Sequence, residues 1–199
     1  MAEHVFALSI GKQVPLHIRQ QFAFTIEETA QLYAQLQQQT ECTGAVLVST
    51  CNRAELYVSA PQSAIAAVER VFAAATCADI HLLRQYMCVY AGTGAMQHLF
   101  QVAAGLDSFI LGENEILGQL RSAYKDSVAH GVSDFYMHTV FQAALRCAKR
   151  IKTETCLAKS STSVATLCVQ HCMHFAQKHA LQGLRADKRE QLLAASARL

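Results

Sequence analysis

The spacing of hydrophobic residues along the chain changes once, near Thr93. Before this point, short apolar runs that are typical of strands alternate with segments of helical periodicity. The predicted strands are 4–10, 45–48, 55–59 and 87–90, and the predicted helices are 27–39, which follows Thr25, and a segment that starts at Pro61. The order strand, helix, strand, strand, helix, strand predicts the βαββαβ unit of a ferredoxin-like fold.

After Thr93 the hydrophobic pattern is that of helices only. The predicted helices are 94–104, then 115–129, which Gly131 stops, a long helix that has Ser133 as its N-cap and continues through Ile151, and the segments 164–181 and 188–199. The expected fold class is therefore α+β. It consists of a ferredoxin-like unit, a helical subdomain and the start of a connecting helix.

Composition excludes two classes of protein. A chain of 199 residues that is 52% hydrophobic can bury a core, which excludes intrinsic disorder and supports one domain with at most a short appendage. Polar residues interrupt every apolar stretch before the roughly 18 residues of a membrane span, and the chain does not open with a secretory signal pattern. We therefore expect a cytoplasmic protein with reduced thiols. The net charge of +2 does not by itself indicate nucleic-acid binding, and the low charged fraction of 16% suggests that a partner or further chain covers some surface.

Cysteine is abundant in this sequence, with eight residues and no Cys-x-x-Cys pair. We interpret these cysteines as thiols. Cys51 is distinctive because it lies in the polar segment Ser-Thr-Cys-Asn-Arg, residues 49–53, between two predicted strands. Nearby positive charge stabilises a thiolate, and Arg53 would supply it, so Cys51 is a candidate nucleophile. The alternative is a buried structural thiol, which is the commonest environment of cysteine.

A second candidate segment contains three glycines among apolar residues. Gly105, Gly112 and Gly118 are costly inside a helix and indicate tight loops or close backbone contacts. Polar residues accompany them, namely Asp107, Ser108, Glu113, Glu115 and Gln119. Such acceptors near a thiol would suit a substrate ammonium group. The alternative is a loop with solvated acids that caps the following helix.

Several blocks of this sequence resemble, in order and spacing, the signature sequences of glutamyl-tRNA reductases. The blocks are STCNRAELY at 49–57, HLFQVAAGLDSFILGE at 98–113 with ILGQ at 116–119, AKRIKTET at 148–155 and SVA at 163–165. The resemblance extends over about residues 4–175. It implies a glutamyl-tRNA reductase-like catalytic domain over 1–155 and a helical extension over 156–199.

The resemblance also implies a reaction and its residues. The family makes glutamate 1-semialdehyde from glutamyl-tRNA and NADPH, the first committed step of tetrapyrrole (porphyrin) biosynthesis. Cys51 would attack the aminoacyl ester and form a thioester, and His98 would act as base or polarise the ester. Arg53 would pair with the glutamate side-chain carboxylate. The residues implied in substrate binding are Thr50, Asn52, Arg53, Ser108, Glu113, Asn114, Glu115 and Gln119.

The sequence departs from the family pattern in two respects. Glu113-Asn-Glu115 replaces the usual Glu-Pro-Gln, which adds an acid near a substrate that carries a carboxylate. No Gly-x-Gly-x-x-Gly is present, so we expect this chain to bind no NADPH, and we assign it no metal. The expected partners are glutamyl-tRNA and a protein that supplies the missing domain or regulates the chain. Two alternatives stay open: a truncated paralogue that binds tRNA, haem or a protein, and a thioester hydrolase or transferase.

Two weaker signals lie further along the chain. Cys168, His171 and Cys172 share one face of a predicted helix and suggest zinc or haem binding, with a packed helix as the alternative. The cations at 149, 150 and 152 suggest contacts with RNA phosphates, with a solvated helix face as the alternative.

Overall fold

A four-stranded antiparallel sheet lies between two layers of helices in the computed structural model, which describes residues 4–76, 78–157 and 168–174. The strands are β1 (Val5–Ile10), β2 (Gly44–Ser49), β3 (Ala54–Ser59) and β4 (Cys88–Ala91). The helices are α1 (Leu16–Arg19), α2 (Ile26–Gln39), α3 (Ile65–Ala75), α4 (Ile80–Tyr86), α5 (Thr93–Ala103), α6 (Glu115–Ala129) and α7 (Phe135–Glu154). Short 3₁₀ turns occupy Gln20–Phe22 and Gln62–Ala64.

The order of the strands is β2-β3-β1-β4, with every neighbouring pair antiparallel. This arrangement confirms the ferredoxin-like prediction, because each helical crossover joins strands that have one strand between them. Ser9 of β1 is paired with Glu55 on one side and with Cys88 on the other, and in the same way Ala7 is paired with Tyr57 and Tyr90. These two rows cross the sheet and carry the polar cluster described below.

Both faces of the sheet are covered, since β1 and β3 are buried along their whole length. Phe6, Leu8 and Ile10 of β1 pack with α2 and α3, whereas Val5 and Ala7 pack with α5, α6 and α7. Sequence alternation in β3 is typical of a strand with one solvated face. Here the polar face of β3 is buried beneath the second helix layer, so its polar side chains need partners inside the protein.

The helix ends follow from local chemistry, with one correction. Thr25, which precedes the predicted helix, caps α2 through a capping box with Glu28. The cap of α7 is Asp134, not Ser133, because the Asp134 carboxylate accepts a hydrogen bond from the amide of Met137 at 2.8 Å. That carboxylate also accepts a bond from the Thr43 hydroxyl at 2.9 Å, which ties α7 to the start of β2.

The other predicted boundaries lie near the observed ones. Pro61 precedes a 3₁₀ turn, and α3 itself begins at Ile65. Of the predicted helices at 164–181 and 188–199, residues 168–174 are described and are helical, and the rest lies outside the described residues. The proposed division after residue 155 stays a prediction. Within the described ranges, no helix combines the length and the apolar character needed to cross a membrane.

Candidate active site

The turn between β2 and β3 presents Cys51 to solvent. The amide of Thr50 donates to the carbonyl of Arg53 at 2.8 Å, and the Thr50 hydroxyl oxygen accepts from the amides of Asn52 and Arg53 at 3.1 and 3.2 Å. These bonds order the turn, and Cys51 lies exposed at its tip. Exposure is not unique to Cys51, since Cys88 is also exposed, but burial raises the pKa of Cys42 to about 11 and makes that thiol a poor nucleophile.

Arg53 is turned into the protein and is 2% exposed. Its Nη1 donates to Glu55 Oε1 at 2.9 Å and to Asp107 Oδ2 at 3.2 Å, and its Nη2 donates to the carbonyl of Asp107. In this structure the carboxylates that Arg53 contacts therefore belong to the chain itself. The guanidinium joins the Cys51 turn to the glycine-containing loop after α5, 54 residues further along.

Glu55 is fully buried at the centre of the cluster. Its Oε1 accepts hydrogen bonds from Ser9 Oγ at 3.0 Å, from Arg53 at 2.9 Å and from His98 Nε2 at 2.9 Å, and its Oε2 accepts one from the Tyr57 hydroxyl at 2.6 Å. Burial by itself would raise the pKa of Glu55. The bonds from His98 and Tyr57 and the charge of Arg53 outweigh it and lower the pKa to about 2, so the carboxylate is ionised at neutral pH.

His98 lies in an aromatic slot above Ala7. Its ring stacks on Tyr90 with 4.4 Å between centroids and 11° between planes, and Tyr57 flanks it at 6.4 Å. Ala7 lies between the two tyrosines in the sheet, and its small side chain leaves space for the imidazole. Because the ionised Glu55 accepts from Nε2, that nitrogen carries the proton. In a neutral imidazole, Nδ1 is then the ring atom with a lone pair.

The loop after α5 is closed by two glycines with left-handed backbone. Gly105 and Gly112 have φ of 73° and 77°, and the Gly112 amide donates to the Gly105 carbonyl at 2.9 Å. A Cβ atom at Gly105 would lie 3.0 Å from Gly112 Cα, so the two backbones meet because Gly105 has no side chain. The loop carries Asp107 and Ser108 to Arg53.

Lys12 and Ser108 complete this side of the cluster. Lys12 Nζ donates to Ser108 O at 3.0 Å and lies 3.3 Å from Asp107 Oδ1. The Ser108 hydroxyl is buried, and among the described residues it has no hydrogen-bond partner. A buried hydroxyl without a partner is costly in a native protein. Ser108 directly follows Asp107, whose main-chain carbonyl accepts from Arg53.

Two of the predicted substrate residues line a separate groove. Glu115 and Gln119 of α6 face the start of α2 across an open groove of about 640 Å³, whose walls include Phe24 and Ser49. Ser49 ends β2, two positions before Cys51, and Cys51 itself is not among the residues that line the groove. The predicted substrate residues are therefore divided between the buried polar cluster and this open groove.

Glu113 and Asn114 lie in the chain between Ser108 and the start of α6, and both accept hydrogen bonds from Lys152. Lys152 Nζ donates to the carbonyl of Glu113 at 2.7 Å and to Asn114 Oδ1 at 2.9 Å. Arg150 is paired with Glu154 at 3.0 Å. Of the three cations considered for RNA contacts, two are thus engaged within the chain, and Lys149 is exposed.

One group of side chains has metal-ligand chemistry. Among the described residues, Glu55, His98 and Asp107 are the group of three whose ligand atoms lie within 4.8 Å of one another. The oxygens of Glu55 already accept four hydrogen bonds, and the positively charged guanidinium of Arg53 contacts the carboxylates of both Glu55 and Asp107. A cation does not suit this donor set. Cys168, His171 and Cys172 are exposed in the helical segment 168–174.

Several members of the cluster were not found by sequence reasoning. Glu55 and Tyr57 lie in the predicted strand 55–59 with no role in the site, and the sequence assigns no role in the site to Lys12, Arg19 or Tyr90. A glutamate between apolar neighbours in a short strand is a signal that was available for Glu55. For Arg19 and Tyr90 the sequence contains no comparable signal.

The fold and site define an α+β domain of ferredoxin-like topology, with an exposed cysteine on an ordered turn beside a buried cluster of arginine, histidine and glutamate. Comparisons with known proteins agree with this class. The family profile described as glutamyl-tRNAGlu reductase, N-terminal domain, matches residues 10–155. The glutamyl-tRNA reductase of Marinobacter nauticus is 34% identical over 163 residues, which are 82% of this chain and 38% of that protein.

The chain therefore belongs to the glutamyl-tRNA reductase family and contains its N-terminal domain. The glutamyl-tRNA reductase of Alkalilimnicola ehrlichii is 36% identical over 166 residues, 83% of this chain and 37% of that protein. The solved glutamyl-tRNA reductase from Methanopyrus kandleri has a TM-score of 0.69 at 25% identity, and the match covers 88% of this chain and 40% of that one. The chain spans about two fifths of the length of these relatives. The resemblance expected from the sequence blocks is confirmed.

Proposed function

We propose that this domain binds the glutamyl end of glutamyl-tRNA and accepts the glutamyl group on Cys51, the first half of a reduction that supplies tetrapyrrole biosynthesis. The observation that carries the proposal is the exposed Cys51 thiol on an ordered turn whose last residue is the buried Arg53. Membership of the glutamyl-tRNA reductase family supports the substrate. Because that substrate is a charged tRNA, we also propose a cytoplasmic location.

The chemical step is an acyl transfer. The sulfur of Cys51 bonds to the carbonyl carbon of the aminoacyl ester, and the bond between that carbon and the ribose oxygen of tRNA breaks. The thiol proton passes to the leaving oxygen, so tRNA departs with a free hydroxyl. The step uses no oxidant or reductant, and its product is a glutamyl thioester on Cys51.

Proton transfer in this step is assigned to His98. Its Nε2 proton is held by Glu55, so Nδ1 is the ring atom that can take the thiol proton and return it to the ribose oxygen. The stacked Tyr90 restricts rotation of the imidazole, and a restricted ring presents Nδ1 in one direction.

Recognition of the glutamate side chain is assigned to Arg53 and Ser108. Asp107 is 30% exposed whereas Glu55 is fully buried, so Asp107 is the carboxylate that a ligand can displace from the guanidinium. A substrate carboxylate has the same charge and geometry as Asp107 and can take its position on Arg53. The buried Ser108 hydroxyl can then donate to it or to a neighbouring substrate group.

The described residues do not fit NADPH. Dinucleotides bind at a glycine-rich turn between a strand and a helix of a parallel sheet. The sheet here is antiparallel, and the sequence contains no Gly-x-Gly-x-x-Gly. Reduction of the thioester is therefore not assigned to residues of this chain, and the proposal ends at the thioester.

Mass spectrometry of the intact chain after incubation with glutamyl-tRNA and an acid quench tests the proposal. We expect one glutamyl adduct, located on the peptide that contains Cys51. Cys51→Ser should lose it, and Cys88→Ser, which removes another exposed thiol, should keep it. Absence of an adduct from the parent chain, or an adduct that survives in Cys51→Ser, would refute the proposed function.

A further inference from the structure

Arg19 is a buried arginine that contacts the Cys51 turn from behind. It is the last residue of α1 and is 8% exposed. Its Nε donates to the carbonyl of Cys51 at 3.0 Å, and its Nη1 donates to the carbonyls of Val14 and Lys12 at 3.0 and 3.3 Å. One side chain therefore connects the loop after β1 with the turn after β2, across 32 residues of sequence.

The hydrogen-bond partners of Arg19 are unusual for a buried cation. A guanidinium keeps its charge at every pH at which proteins fold, and burial of a charge is costly unless it is well hydrogen-bonded. Among the described residues, the three hydrogen-bond acceptors of Arg19 are main-chain carbonyls, not carboxylates. Such an arrangement holds the backbone in place, because three carbonyl groups must converge on one planar donor group.

Both loops that Arg19 holds belong to the site. The carbonyl of Cys51 lies in the peptide plane that follows the candidate nucleophile, so its orientation sets the direction of the Cys51 backbone. The side chain of Lys12 reaches Asp107 and Ser108, which border the Arg53 guanidinium. Arg19 thus links the thiol to the side of the cluster where we place the substrate carboxylate.

We propose that Arg19 is a positioning residue: by holding the carbonyls of Cys51, Val14 and Lys12 it aligns the Cys51 thiol with the Arg53 and Ser108 side of the site. This inference rests on the proposed function, since it needs Cys51 to react with glutamyl-tRNA. Arg19 itself does not contact the reacting atoms. Its effect is on the orientation of the thiol and not on its exposure.

Two rates measured on each variant separate orientation from folding. The first is formation of the Cys51 adduct from glutamyl-tRNA, and the second is alkylation of Cys51 by iodoacetamide, each divided by the folded fraction from thermal unfolding. In Arg19→Gln and Arg19→Lys we expect adduct formation to fall at least tenfold. Alkylation should stay within twofold of the parent, since a small reagent needs only an accessible thiol. The lysine variant should not restore adduct formation, because an ammonium group is a point charge and cannot replace the planar guanidinium.

Arg84→Gln is the matched control. It removes an arginine from α4, where, within the described residues, Arg84 is paired with Glu69 at 2.9 Å and not with the Cys51 turn or the loop after β1. This variant should equal the parent in both rates. Added guanidinium, at concentrations far below those that unfold proteins, should restore part of the adduct formation to Arg19→Ala and should not stimulate Arg84→Ala.

The outcomes are distinguishable. Equal adduct formation per folded molecule in the parent and in both Arg19 variants would overturn the positioning role and leave the proposed function intact. Absence of an adduct from the parent would overturn the proposed function and this inference together. If every Arg19 variant unfolds at the assay temperature and guanidinium restores neither fold nor adduct, Arg19 is a residue of the folding core and the inference is wrong.

Discussion

At the scale of single residues, Glu55 organises the site. Four donors from two strands, the turn before β3 and one helix converge on its carboxylate: Ser9, Arg53, Tyr57 and His98. Each of these side chains is therefore held in position by a hydrogen bond to the same ionised carboxylate. Burial and the adjacent Glu55 charge raise the pKa of Tyr57 well above its usual range, so Tyr57 keeps the proton that it donates.

Stability should depend on the ionisation of Glu55. Its pKa is about 2 in the folded protein and is near 4.5 when unperturbed, so the unfolded chain binds the proton more tightly. The contribution is therefore complete above pH 4.5 and is lost as the pH falls toward 2. We expect the free energy of unfolding, measured with urea, to decrease over this range by up to about 3 kcal/mol from this group.

Glu55→Gln tests the assignment. This variant should be less stable than the parent at neutral pH, because Arg53 loses its buried counter-charge, and its stability should fall less steeply below pH 4.5. Glu154→Gln is the control, since Glu154 is exposed and its pair with Arg150 contributes little in water. A slope in Glu55→Gln equal to that of the parent would contradict the assignment.

Arg53→Lys should lose most of the Cys51 adduct although the charge is kept. The guanidinium contacts Glu55 through Nη1 and Asp107 through both terminal nitrogens, and a lysine ammonium cannot reproduce this fork. The adduct formed from glutamyl-tRNA, measured by mass spectrometry per folded molecule, is the readout. Equal yields in Arg53→Lys and the parent would show that the glutamate carboxylate is recognised elsewhere.

At the scale of elements, the contact between β2 and α7 depends on Gly44. A Cβ atom there would lie 2.3 Å from Asp134 Oδ1 and 2.5 Å from its Cγ, so a side chain at this position clashes with the N-cap of α7. The same carboxylate holds the Met137 amide and the Thr43 hydroxyl. The Asp134 side chain therefore packs against Gly44, accepts a hydrogen bond from Thr43 just before β2 and caps α7.

Gly44→Ala should therefore destabilise the domain by about 1–3 kcal/mol, through overpacking and a disturbed cap. Gly118→Ala is the matched control, because Gly118 lies within α6 and a Cβ there meets nothing within 4 Å. Relief of the glycine penalty in a helix should stabilise this variant by up to about 1 kcal/mol. Urea unfolding of the two variants gives both values, and a Gly44→Ala protein as stable as the parent would refute the clash.

At the scale of the whole molecule, the two faces of the sheet carry different contacts. The layer of α2, α3 and α4 covers one face with apolar contacts. The layer of α5, α6 and α7 covers the other face and encloses the polar cluster at one end. The chain spans about two fifths of its relatives, so the activity of this domain by itself is a separate question from that of the longer proteins.

This chain by itself should convert glutamyl-tRNA slowly to glutamate and should form no semialdehyde, with or without NADPH. A thioester on Cys51 has water as its abundant acceptor, and the described residues offer no dinucleotide site. Cys51→Ser should abolish the release, since an alkoxide is far scarcer than a thiolate at neutral pH. Chromatographic separation of glutamate from semialdehyde tests this prediction, and NADPH-dependent formation of semialdehyde by this chain would contradict it.

The elements and the chemistry-bearing segments were determined by the sequence itself. The periods of strands and helices and the left-handed glycines at 105 and 112 depend largely on interactions within a few residues, whereas Gly118, expected at a tight loop or a close backbone contact, lies within α6 with nothing within 4 Å of its Cβ position. The order of the elements then selects the ferredoxin-like topology, and the sequence blocks at 49–57, 98–119, 148–155 and 163–165 together indicate the family.

The partners of the site residues were decided only by the tertiary structure. Glu55 meets Ser9 and His98, which lie 46 and 43 residues away in sequence, and Arg53 meets Asp107 at a separation of 54. These contacts depend on strand register and on how the loop after α5 is closed. Because side chains alternate across a sheet, a register shift of one residue in β3 would move Glu55 to the opposite face, and the pairing with β1 that fixes this register joins segments far apart in sequence.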